Sequence, residues 1–124
     1  MNRSRFGVKS RAGGRMTEAE FLGRLRSALR AEWRKWPPRS DVLRNATRKM
    51  KKPIGRRRVE VHCAICRRWF DRERMSVDHV IPCGSFNLQT AGEFISRMFV
   101  EADGLQVLCD TCHKRKTREE RKKI

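Results

Sequence analysis

The chain has 124 residues, with 31 Lys or Arg against 14 Asp or Glu and a formal net charge of +17. That length holds one small domain with an appendage, and no stretch approaches the roughly 20 apolar residues of a helical membrane span. The charge is lopsided, since residues 1–58 hold 19 of the basic residues and 4 of the acidic ones. Such a block points to a polyanionic partner, nucleic acid first, through counterion release from its phosphates.

Residues 1–16 are rich in Arg, Lys, Gly and Ser without apolar periodicity, and read as a basic flexible arm. With no apolar run behind the basic residues, this is not a secretory signal, and the expected location is the cytoplasm. Thr17 with Glu20 three residues on is a capping box. It opens an amphipathic helix with Leu22, Leu25, Leu29, Trp33 and Trp36 on one face and Arg24, Arg26, Arg30, Arg34 and Lys35 elsewhere. The apolar face is expected to be core, or a docking surface for a larger protein. Pro37-Pro38 is expected to stop this helix, and Ser40 or Asp41 to cap a shorter one through about Met50. Lys51 to Arg58 reads as a Pro- and Gly-punctuated linker, which makes 17–58 a basic helical extension. A fragment starting near Val59 is expected to fold alone, provided the Leu/Trp helix is not part of its core.

From Val59 onward the pattern is that of a small α+β domain. Val59 to His62 alternates like a strand and runs into Cys63-Ala64-Ile65-Cys66. Trp69-Phe70 and Met75 to Ile81 suggest returning strands, ended by Pro82. Thr90 and Glu93 form a second capping box before Phe94, Ile95, Met98 and Phe99. Leu105 to Leu108 leads to Cys109-Asp110-Thr111-Cys112, and Thr111 is expected to cap a final basic helix to about Lys122.

Five cysteines in a reducing compartment imply metal or catalysis before disulfides. Two CxxC pairs, 42 residues apart, supply four thiolates, and each turn aims its sulfurs at a point about 2.3 Å away. Cys63, Cys66, Cys109 and Cys112 are therefore expected to hold a structural Zn²⁺. The Cys-x-x-Cys-His spacing also occurs in c-type haem attachment, but that reading leaves the first pair without a partner. Cys83 remains as a small free thiol. Asp78, His79 and His113 form a second, harder group. Neighbours on a strand face opposite ways, so one site using both Asp78 and His79 needs the strand to end there, as Pro82 suggests. Oxygen and imidazole with open positions suit Mg²⁺ or Mn²⁺.

Val77-Asp78-His79-Val80-Ile81-Pro82, followed by Leu105-Gln106-Val107-Leu108-Cys109-Asp110-Thr111-Cys112-His113-Lys114-Arg115-Lys116-Thr117, resembles the zinc-bearing branch of the HNH endonucleases. With the earlier CxxC, the resemblance covers about residues 59–119. It implies a ββα-metal core and makes 59–124 a zinc-stapled nuclease domain. It further implies His79 as general base, with Asp78 and His113 holding the catalytic Mg²⁺ or Mn²⁺. The expected reaction is DNA phosphodiester hydrolysis that nicks one strand first. Similar small basic members are common in phage genomes, which would place the protein in a host cytoplasm. The family's middle Asn falls at Gly104 here, with Asp103 or Asn87 as candidates to replace it. Arg56, Arg57, Arg58, Lys114 and Lys116 are expected phosphate contacts. The alternative reading is a non-catalytic zinc module that binds DNA or RNA.

Overall fold

The computed structural model describes residues 7–122, so part of the expected arm lies outside the described residues. Within the rest, Arg11 and Met16 form an antiparallel bridge, and Arg11 Nε donates to Glu18 at 2.7 Å. Residues 11–16 are thus a turn anchored to the first helix, because the ion pair gives the arm a fixed partner.

Helix α1 spans Glu18–Trp33, and Thr17 Oγ1 accepts from the Glu20 amide at 3.1 Å, as the capping box requires. Its stripe of Leu22, Leu25, Leu29 and Trp33 packs on buried Phe86, Phe94 and Met98, so that face is core. The following prolines do more than end α1. They take the first two positions of α2, Pro37–Asn45, where a missing amide costs nothing. Ser40 and Asp41 consequently lie inside α2, and the chain has left the helix well before Met50.

The segment expected as a linker is a hairpin. Strand β1, Thr47–Ile54, pairs antiparallel with β2, Arg57–His62, around a tight turn at Gly55-Arg56. Gly55 has φ +59°, the left-handed conformation a two-residue hairpin turn demands. The register shifts between Lys49 and Ile54, where Pro53 offers no amide to the ladder. Strand β3, Trp69–Phe70, completes the sheet on the other side of β2.

A second, two-stranded sheet carries the rest. Strand β4 is Met75–His79, ending two residues before the expected limit, and β5 is Leu105–Cys109. They pair antiparallel from Met75↔Cys109 to His79↔Leu105. Between them lies α3, Ala91–Met98. Thr90 stands at the N-cap of α3 but makes no side-chain cap bond, because its hydroxyl accepts from the Asn87 amide at 3.2 Å and donates to the Ser85 carbonyl at 2.8 Å. Helix α4, Asp110–Lys122, follows β5 directly, so Thr111 sits inside its first turn rather than capping it. The chain is α+β, with two hydrophobic clusters, one around the cysteines and one beneath α1 and α3. No helix among the described residues is long and apolar enough to cross a membrane.

Candidate metal centre and adjoining cleft

Cys63 follows β2 directly, and its amide donates to the Arg68 carbonyl while its own carbonyl accepts from the Arg67 amide. These two bonds close the first knuckle and force Arg67 to φ +63°, unusual for a non-glycine residue. The Ala64 amide donates to the Val107 carbonyl at 2.9 Å, which ties this knuckle to β5. Cys109 is the last residue of β5, and Cys112 lies in the first turn of α4. The four ligand sulfurs lie within 4.8 Å of one another, and Cys66 and Cys109 are 4.0 Å apart. Tetrahedral bonds of about 2.3 Å imply sulfur separations of about 3.8 Å, so the set fits a zinc ion.

The thiols differ in basicity. Burial pushes Cys63 up, but amide hydrogen bonds from Cys109, Cys66 and Ile65 outweigh it and bring the thiol down to about 6. Burial, then contact with the other three sulfurs, pushes Cys112 up to about 12. One thiolate therefore forms readily, while full ionisation of the set calls for a bound cation. All five cysteines are free.

One residue pair links this centre to a second group. Asp78 sits opposite Gln106 in the β4–β5 register, and His113 follows Cys112 on α4. His113 Nε2 lies 3.7 Å from Asp78 Oδ1. The other carboxylate oxygen, Oδ2, accepts from Lys116 Nζ at 2.9 Å and from Gln106 Nε2 at 3.5 Å. Lys116 also donates to the His79 carbonyl at 3.0 Å and pairs with Glu120. It is thus occupied inside the site, not held out to solvent. Among the described residues, the four cysteines are the one group of three or more ligands close enough to share an ion; Asp78 and His113 supply two.

His79 ends β4, and its ring is held by groups from outside that strand. Nε2 is 2.9 Å from the Met98 carbonyl, and the ring lies against Trp33 with centroids 4.8 Å apart. A carbonyl can only accept, so Nε2 carries the proton and neutral His79 keeps its lone pair on Nδ1. A cleft of about 410 Å³ runs past this strand end and is lined by Asp78, His79 and Lys116, with Arg30, Trp33 and Arg34 from α1. Cys83 borders the same cleft and is pushed up by burial.

Gly104 has a steric reason to be glycine. A Cβ there would lie 2.8 Å from Val100 Cγ2. Neither proposed replacement lines the cleft, and Asn87 Oδ1 is engaged with the amides of Gln89 and Thr90. Arg56, Arg57 and Arg58 line a separate groove with Arg72. Lys114 is exposed on α4. Sequence reasoning missed Trp33, the Met98 carbonyl, Gln106 and Glu120. The i, i+4 spacing of Lys116 and Glu120 was the available signal for the last. Comparison with protein-family models, curated proteins and solved structures finds no match.

Proposed function

We propose that this chain is a zinc-stapled, metal-dependent endonuclease of the HNH type that hydrolyses DNA phosphodiester bonds. The observation that carries the reading is the placement of His79, whose Nε2 proton is committed to Met98, beside the Asp78–His113 pair. Nδ1 then serves as general base toward an attacking water, a role imidazole fills near neutral pH. Asp78 and His113 would hold a divalent ion, which would supply Lewis-acid stabilisation of charge developing on the scissile phosphate. Lys116 holds one oxygen of Asp78, which turns the other toward His113. The strand–strand–helix order β4, β5, α4, with the cysteine cluster at its root, supports the same reading.

Nothing in the site requires catalysis for stability, so a non-catalytic zinc module binding DNA or RNA is the second reading. The Lys116–Asp78–Glu120 network favours it, because the carboxylates already have a cation. Supercoiled plasmid incubated with Mg²⁺, Mn²⁺ or chelator separates the two. The nuclease produces open circles with Mg²⁺ or Mn²⁺ and none with chelator, and His79→Ala loses about 10²–10⁴ in rate. Wild-type protein that holds zinc and binds DNA but cuts under no metal condition overturns the enzyme reading.

A further inference from the structure

The end of α1 presents two arginines to the cleft, Arg30 in its last turn and Arg34 at its C-cap, with Trp33 beside them. Both guanidinium-bearing residues are exposed, and among the described residues neither has an ion-pair partner. Arg11, Arg44, Arg48 and Arg97, by contrast, each hold a carboxylate. The acids of the cleft, Asp78 and Glu120, pair with Lys116 and with neither arginine. A helix C-terminus favours one nearby cation, but that does not explain two lining the same cleft. Residues four apart rise about 6 Å along a helix and share a face. The Trp33–His79 contact fixes that face against the end of β4.

We infer that Arg30 and Arg34 form a phosphate clamp that seats the nucleic-acid backbone beside Asp78 and His79. Guanidinium groups suit phosphate because their planar donors match its oxygens in pairs. The inference rests on the cleft being where nucleic acid is cut. It gives α1 a role in substrate positioning, distinct from the diffuse attraction of the basic hairpin.

The test compares two double variants of the full chain, Arg30→Gln/Arg34→Gln and Arg24→Gln/Arg26→Gln. The second removes the same charge from α1 outside the cleft. Affinity for a short DNA duplex is measured against salt without added Mg²⁺ or Mn²⁺, and plasmid cleavage is followed in Mg²⁺. The clamp variant should flatten the slope of log affinity against log salt by about 1.8, at about 0.9 per lost phosphate contact, and the control by less than half of that. Its KM should rise with kcat retained, as loss of uniform substrate binding requires. Equal slope changes in the two doubles, or a fall in kcat with KM unchanged, overturn the clamp. A clamp-specific slope change in a protein that never cuts DNA supports the clamp and overturns the nuclease reading instead.

Discussion

Trp33 and His79 lie ring against ring, with centroids 4.8 Å apart and planes tilted by 32°. The contact joins the last residue of α1 to the last residue of β4. Trp33 Nε1 is buried without a hydrogen-bond partner, so the indole is present for its surface. A ring pair of this kind contributes about 0.5–1.5 kcal/mol, which bounds its effect on a rate at about tenfold. Trp33→Leu should therefore lower plasmid nicking by up to about tenfold while zinc content stays the same. Trp33→Phe should retain most activity. Equal loss in both variants would show that ring contact is not what holds His79.

Metal analysis should find about one zinc per chain. Cys63 and Leu108 are fully buried together with the other cysteines of that cluster. Cys63→Ser and Cys112→Ser should therefore lose both the metal and the cooperative thermal transition, since metal binding and folding free energy are coupled. A folded, zinc-free wild-type protein would remove the staple.

Lys116 provides a pH signature. Burial pulls its ammonium down, but hydrogen bonds to Glu120 and Asp78 outweigh it, so its pKa lies above 10.5. A group raised on folding stabilises fully below its unfolded pKa and ceases to do so as pH climbs through the folded value. Lys116→Met should accordingly have a lower Tm than wild type at pH 7. It leaves two neighbouring carboxylates without their cation. The gap should persist to about pH 10 and narrow above it. A gap constant to pH 11 would show that the lost contribution is packing alone.

Gly104→Ala should destabilise by about 1–3 kcal/mol in urea unfolding, the usual cost of forcing extra volume into a filled site. Val100 is the obstacle, so Gly104→Ala should cost much less in a Val100→Ala background. A coupling of about 1 kcal/mol or more between the two changes is the expected result. Additive effects would mean that the close approach relaxes freely.

A fragment of residues 59–124 should show no cooperative thermal transition. It lacks β1, the antiparallel partner of β2, and uncovers Phe86, Phe94 and Met98 by removing α1. Each such side chain contributes about 1.5–3 kcal/mol when fully buried, a large share of a total near 5–15 kcal/mol. A sharp unfolding transition in the fragment would show that the two halves are separable.

Legibility in the sequence followed the strength of local chemistry. The Thr17 cap, the Leu22-to-Trp33 stripe and the cysteine pairs each carry a short-range signal, and each corresponds to a feature of the structure. Strand β1 carries none, since Arg48, Lys49, Lys51 and Lys52 offer no alternating apolar face. Its conformation is dictated by pairing with β2. Pro37-Pro38 signals both an end and a beginning, and only the end was read. At the site, Asp78, His79 and His113 stand out as residue types. Strand alternation already sends Asp78 and His79 opposite ways, but what meets the His79 ring depends on the packing of α1 and the end of α3. Met98 enters through its carbonyl, which no side-chain pattern can announce.

The register from Met75↔Cys109 to His79↔Leu105 makes β4 and β5 a rule of fixed length between the sulfur cluster and the cleft. Helix α4 extends that rule, with Cys112 and His113 in its first turn and Lys116 about one turn further on. One inserted residue between Cys112 and His113 would swing His113 and Lys116 by about 100° around the helix axis and take both from Asp78. Length changes among residues 81–90, between β4 and α3, would leave this spacing untouched. A single codon added after Cys112 thus dismantles the Asp78 group while leaving all four cysteines in the chain.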